Sequence, residues 1–278
     1  MSTRPTSISP ISRAFFLALI PVILVLAPGH RPKNSSGPLP PLILWAWERP
    51  EDLRFVDPAH TAVAFLAANV ELSNGDTVIH PRMQLLRVAE GTPLIAVIRI
   101  ETPHTATAAR PASFSRTPDQ PRSWEDLTAD QLQRSVSAIA HSACLPRVVG
   151  VQIDFDVTRS QRGFYRALLL ALRRSIPAMP ISITALASWC YDDDWLAGLP
   201  IDDAIPMLFR MGADTREIRQ RLASGRDFRE PLCRSSLGVS TDEPWLSTLP
   251  ARRLYVFNPH SWTEHDELAT LMETRAWR

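Results

Sequence analysis

Two rhythms run through this chain. Short apolar runs, many of them β-branched, recur along it, and between several of them apolar positions fall three or four residues apart. The runs read as strands. They are Leu42-Ile-Leu-Trp-Ala-Trp47, Thr61-Ala-Val-Ala-Phe-Leu66, Leu94-Ile-Ala-Val-Ile-Arg99, Val148 to Asp156, Ile181-Ser-Ile-Thr-Ala-Leu186, Ala204-Ile-Pro-Met-Leu-Phe209, Ser236-Leu-Gly-Val239 and Leu254-Tyr-Val-Phe257. The helical spacing covers Thr128 to about Ala143, which opens on a Thr128-Ala-Asp-Gln131 capping box, then Gly163 to Arg174, Asp214 to Leu222 and Thr263 to Met272.

Apolar strands alternating with helices predict a parallel sheet whose outer face the helices cover. Eight such strands predict an α/β fold, a (β/α)8 TIM-like barrel spanning residues 42–278. Two stretches depart from a plain barrel. Asn74-Gly75 between apolar ends predicts a hairpin after the second strand, where a helix belongs. Thr102 to Asp126, rich in Pro, Thr, Ser and Ala, predicts a long loop on the C-terminal face, either a lid or a disordered segment.

The first 41 residues lie outside this pattern. Arg4 and Arg13 precede an apolar run from Ala14 to Ala27, short for a membrane span and suited to a signal peptide. Leu26-Ala-Pro-Gly29 is a poor cleavage site, so residues 1–27 read as a signal peptide or as an uncleaved anchor, with a buried helix as the bland alternative. Residues 28–41 form a Pro-rich linker. The expected location is periplasmic, or on the outer side of the inner membrane, with membrane contact only through this N-terminal segment.

Composition narrows the function. At 278 residues with a formal charge of +1 and no basic block, the chain is not expected to bind nucleic acid. Glycine is scarce, at 10 residues, and there is no phosphate-binding glycine loop and no nucleophile elbow, so no cofactor is expected. His260 and His265 lack further ligands at metal spacing, and Asp192-Asp-Asp194 reads as a solvated turn, so no metal is expected. Of three cysteines, Cys190 and Cys233 lie in loop-like sequence and are the preferred disulfide pair; Cys144, ending a helix, reads as a core thiol. Three free buried thiols are the alternative.

The fourth run carries the candidate chemistry. Gln152, Asp154 and Asp156 alternate with Val151, Ile153 and Phe155. Side chains two apart share one face of a strand. In a barrel that face points to the axis, and near the strand's C-terminal end it enters the catalytic mouth.

Gly150-Val-Gln-Ile-Asp-Phe-Asp156 resembles the fourth-strand motif of chitinase-like glycoside hydrolases, which runs Gly, apolar, Asp, apolar, Asp, apolar, Glu. Gln152 stands at the first Asp of that motif, Asp154 at the second, and Asp156 at the catalytic Glu. A longer similarity is to a family of exported bacterial proteins of unknown function related to the same superfamily. It rests on Leu44-Trp-Ala-Trp-Glu48, Gln152-Ile-Asp-Phe-Asp156, Ile205-Pro-Met-Leu-Phe-Arg-Met-Gly212, Gly238-Val-Ser-Thr-Asp-Glu243 and Tyr255-Val-Phe-Asn-Pro259, over roughly residues 42 to 262.

The resemblance implies a glycosidase in which the substrate's acetamido group attacks, with Asp156 as the acid and Asp154 orienting that group. Asp is shorter than Glu by one bond, about 1.5 Å, and a misplacement of that order costs about a hundredfold in rate. Either the site is built differently or catalysis is lost. Glu243 is the first choice for a partner carboxylate, with Glu48 and Glu101 behind it. Strand ends add Trp47, Glu48, Arg99, Glu101, Gln152, Trp189, Arg210, Asp242, Asn258 and Trp262 as candidate substrate-binding residues; aromatic faces there suit sugar C–H surfaces. The expectation is therefore an exported barrel acting on an envelope polysaccharide or glycan. A non-catalytic glycan-binding barrel and an envelope scaffold protein are the alternatives.

Overall fold

The structure, a computed structural model, describes Met1 and residues 39–102, 127–245 and 252–275. The predicted N-terminal targeting segment, most of the predicted linker and the predicted loop after the third barrel strand lie outside the described residues. In chain order the strands are β1 (Leu42–Ala46), β2 (Glu51–Leu53), β3 (Thr61–Ser73), β4 (Asp76–Pro81), β5 (Leu86–Val88), β6 (Leu94–Glu101), β7 (Val148–Asp154), β8 (Ile181–Leu186), β9 (Asp203–Met207), β10 (Ser236–Ser240) and β11 (Arg253–Phe257). The helices are α1 (Ala129–Ala143), α2 (Arg162–Ser175), α3 (Thr215–Ala223) and α4 (Glu264–Arg275).

Strands β1, β3 and β6 to β11 form a closed parallel barrel. Its order is β1-β11-β10-β9-β8-β7-β6-β3, and β1 pairs with β3 to close the ring. The fold is a (β/α)8 TIM-like barrel. Strand β3 runs on to Ser73, well past Leu66, because its second half pairs antiparallel with β4. Asn74 (φ 51°) and Gly75 (φ 81°) both take left-handed backbone, as a primed two-residue hairpin turn requires. Strands β2 and β5 pair in a small separate sheet. Strand β7 stops at Asp154, so Asp156 stands just beyond its end.

Alternation along the strands builds two cores. Outward residues such as Val63, Ile98, Val151, Ile153, Ile183 and Val256 pack under the helices, meeting Val136 and Ile139 of α1 and Tyr165, Leu168, Leu169 and Leu172 of α2. Inward, Ile43, Trp45, Ala62, Ala64, Ile95, Val97, Ile205 and Tyr255 fill the barrel axis. Small residues make room for Trp45: a Cβ on Gly238 would lie 3.0 Å from its ring, closer than a packed interior accommodates without shifting.

The capping box on α1 forms as the sequence predicts. Thr128 Oγ1 accepts from the Gln131 backbone N–H, and Gln131 Oε1 accepts from that of Thr128. Gln131 Nε2 also donates to the Asp76 carbonyl at 2.8 Å, tying the helix to the hairpin.

Between β8 and β9 the connection is a 3-10 turn, Ala187–Cys190, followed by irregular chain. Aromatic packing covers the sheet here. Trp189 meets the Trp195 ring edge-on at 5.0 Å, and Tyr191 packs on Phe228 at 4.9 Å. A disulfide joins Cys190 to Cys233 and staples this covering to the segment before β10. Cys144 departs from its expected role as a core thiol. It caps the C-terminus of α1 and is exposed, because the helical stripe that is buried ends at Ala143.

The disulfide closes a loop with a sequence separation of 43. Loop-closure entropy gives it about 4 kcal/mol of stabilisation. Replacing Cys190 and Cys233 together with Ser is expected to lower unfolding free energy by up to that amount in urea denaturation. Dithiothreitol should reproduce the loss in wild type and leave the variant unmoved.

Candidate functional site

The candidate site is built upward from the barrel axis at the C-terminal ends of β1, β6 and β7. At its base, the Trp45 indole Nε1 donates to Gln152 Oε1 at 2.8 Å, wholly buried. Gln152 Nε2 has no partner among the described residues. One pleat higher on the same face stands Asp154. Its Oδ1 accepts from Thr184 Oγ1 of β8 at 2.6 Å, and its Oδ2 lies 4.0 Å from Arg99 Nε. Asp156 is exposed at the top.

Arg99 is the hub of this mouth. Its guanidinium reaches Glu101 at 2.9 Å and Glu48 at 3.5 Å as well as Asp154. One cation therefore serves three carboxylates, with Asp156 within its electrostatic reach as a fourth. Burial pushes the Asp154 carboxyl up to about 6, and the neighbouring Asp156 adds to the rise; the Thr184 hydrogen bond and Arg99 oppose it without cancelling it. Asp156 is also raised, by desolvation first, with Arg99 again opposing. Asp154 therefore keeps its proton into the mildly acidic range.

The remaining candidate residues fall into distinct places. Trp47 is half-buried against the axial cluster. Arg210 takes left-handed backbone (φ 52°) at the end of β9; its guanidinium covers the Phe257 ring at 5.1 Å and reaches Asp242 at 3.7 Å. Phe257 in turn stacks on Phe209, with ring centres 5.8 Å apart and planes at 3°. Glu243 holds this turn in place: it accepts from the Arg210 backbone N–H at 2.8 Å and pairs with Arg219 at 3.3 Å.

Three candidates are committed to internal structure. Trp189 is buried in the outer core beside Trp195. Trp262 is buried, and its Nε1 donates to the Trp45 carbonyl at 2.9 Å. Asn258 is buried, its Oδ1 accepting from Thr241 Oγ1 and from the His260 backbone. The three aspartates Asp192, Asp193 and Asp194 pair with Arg221, Arg162 and Arg229 respectively.

Thr184 and Phe257 belong to the mouth although neither was singled out in the sequence. The signal for Thr184 was present: Ser182 and Thr184 alternate with Ile181 and Ile183, as Gln152 and Asp154 do with their apolar neighbours.

No family model matches this chain, and no curated protein matches it. Among solved structures it is similar to "putative Chitinase A from Streptomyces coelicolor", with 9% sequence identity, a TM-score of 0.47, and coverage of 85% of this chain and 94% of that one.

The position of Asp154 carries a pH signature. Its carboxyl rises from 3.8 to about 6 on folding, so between those values the folded protein holds a proton that the unfolded chain has released. The stability it contributes is present below about pH 4 and is lost as pH rises through about 6. Asp154→Asn removes the ionisation. Its stability relative to wild type should improve by roughly 2–3 kcal/mol between about pH 4 and about pH 8, measured by urea denaturation at both. A difference that does not change with pH would show that Asp154 titrates normally.

Proposed function

We propose that this chain is an exported glycoside-hydrolase-like barrel acting on an envelope polysaccharide or glycan, with Asp154 and Asp156 as its acidic pair. The observation that carries the reading is the pair itself: two carboxyls on the axial side of β7 and its exit, one raised to about 6, at the C-terminal mouth of a parallel barrel. In such barrels chemistry sits at that mouth. A carboxyl that burial holds above its ordinary value, as at Asp156, suits general-acid work.

The greater exposure of Asp156 supports its role as the acid that meets substrate. It gives its proton to the glycosidic oxygen as the C–O bond breaks, and that oxygen leaves as a hydroxyl with the bonding electron pair. Water completes the reaction by adding its oxygen to the anomeric carbon and returning a proton to the carboxylate. Asp154, held by Thr184 and Arg99, stands beside it and in its ionised form stabilises positive charge developing at the sugar. Glu48, Arg99 and Glu101 offer acceptors and donors to sugar hydroxyls. Export is supported by the basic and apolar N-terminus, and by the Cys190–Cys233 disulfide, which persists in oxidising compartments.

The test is turnover and binding on a panel of envelope glycans and chitin-type oligosaccharides, for wild type, Asp154→Asn and Asp156→Asn. Both variants should retain binding and lose turnover, by about a hundredfold or more at Asp156, on the scale of general-acid catalysis. Binding without turnover in wild type would replace the hydrolase with a glycan-binding barrel. Unchanged turnover in either variant would remove that residue from the mechanism.

A further inference from the structure

The carboxylates of β7 stand on a boundary. On one side in the barrel order lies β6, which with the exit of β1 supplies Arg99, Glu101 and Glu48. On the other side lie β8 and β9, and here the mouth changes character. A pocket of about 250 Å³ opens between the chain exits of β7, β8 and β9, lined by Asp156 and by Leu186, Met207, Phe209, Met211 and Ile218. Its other polar lining comes from Ser188, Asp214 and Arg210, and Arg210 is engaged with Asp242 and the Phe257 ring. Leu186, the last residue of β8, is 40% exposed at this position.

A sugar ring placed in this pocket would bring several hydroxyls against methionine, leucine and isoleucine. Burying a hydroxyl without a partner costs roughly 1–3 kcal/mol each on protein scales. An apolar group placed there instead gains about 0.8 kcal/mol for each methylene removed from water. The charged half of the mouth has the opposite preference. Its one arginine and three carboxylates match hydroxyls and would strand a hydrocarbon. Methionine side chains, unbranched and polarisable, adapt to a flexible chain better than to one rigid shape.

We propose that this pocket is the leaving-group site, and that it takes an apolar aglycone, an alkyl chain carried on the sugar, with the sugar itself bound on the side of Glu48, Arg99 and Glu101. This rests on the hydrolase reading for the word leaving; the apolar site itself stands apart from turnover. It makes the substrate a glycan joined to a hydrocarbon at the scissile bond, rather than a uniform polysaccharide with sugars on both sides of the acid.

The experiment has two arms on the full chain. In the first, n-hexanol is titrated into protein carrying 13C-methyl methionine. The Met207 and Met211 methyl signals should shift in a saturable manner, while Met83, 85% exposed on the chain that follows the hairpin, should not saturate. Leu186→Asn, at an exposed position where folding is not at stake, should weaken this binding about fivefold, as loss of part of one leucine's contact implies. In the second arm, methyl, propyl and hexyl N-acetylglucosaminides of both anomers are compared for affinity. Each added methylene should tighten binding about fourfold until the pocket is full.

If Met207 and Met211 do not respond to hexanol, or affinity is flat along the alkyl series, the proposal is overturned whatever the enzyme activity. If hexanol binds saturably and no glycoside is turned over, the hydrolase reading falls while the apolar site is supported. If oligosaccharides are cleaved and an alkyl leaving group gives no advantage in kcat/KM over a sugar one, the leaving-group assignment is overturned while the hydrolase reading survives.

Discussion

The hydrogen bond from the Trp45 indole to Gln152 organises the barrel interior on which the mouth rests. Trp45 is the largest side chain on the axis, and it touches three walls: Tyr255 at 5.4 Å, Phe209 at 6.3 Å, and the space left by Gly238. Its polar atom must find an acceptor because no water-accessible route remains for it at 3% exposure. Gln152 is that acceptor, and it is neutral. A carboxylate at 152 would add a third negative charge to the face that already carries Asp154 and Asp156, in a position with no exposure at all. The amide accepts the indole proton without that penalty. The amide at 152 is thus part of the way this interior is packed.

The balance above Gln152 follows from counting charges against burial. Arg99 is the cation nearest to Asp154, and at 4.0 Å it is at the limit of an ion pair. Its closer contact is with Glu101. Divided among several carboxylates, it does not offset the burial of Asp154. Asp154, with only 15% of its side chain exposed, loses more to desolvation than it recovers from Arg99 and Thr184. Glu101 is closer to the guanidinium, at 2.9 Å, and more exposed, at 29%. The same arginine therefore pairs with Glu101 and Glu48 and leaves the burial of Asp154 uncompensated.

Most of the barrel was legible because each of its strands is a compact apolar run, and the Asn74-Gly75 turn announced the hairpin. What local pattern did not reveal was how far strands extend. Thr61 to Leu66 reads as a strand by its apolar residues, yet β3 continues to Ser73 because β4 pairs with its second half, a tertiary contact. Val148 to Asp156 reads as one strand, yet pairing ends at Asp154. The site was legible in its acidic residues and less so in its walls. Glu48, Arg99, Glu101 and Asp154 meet in the fold, since strand-end residues of adjacent barrel strands converge. Tryptophans at loop positions were ambiguous for a physical reason: Trp189 and Trp262 carry as much apolar area as a sugar platform needs, and they cover the barrel where helices are absent or chain ends cross.

The remaining tension is the reach of Asp156. In the proposed role as acid it is one bond, about 1.5 Å, shorter than the Glu of the motif it resembles. Here, however, pairing stops at Asp154, and the Val157 N–H turns back to the Phe155 carbonyl at 2.9 Å, so Asp156 occupies the turn itself. Its backbone is free of the ladder that fixes Asp154, and its side chain is exposed whereas Asp154 is not. Phe155 anchors this turn from the other face, fully buried with its ring 5.3 Å from Tyr165 and 6.5 Å from Phe164. The same turn brings the carboxyl to the edge of the pocket lined by Leu186 and Met207, so Asp156 lies between the charged half of the mouth and the apolar half.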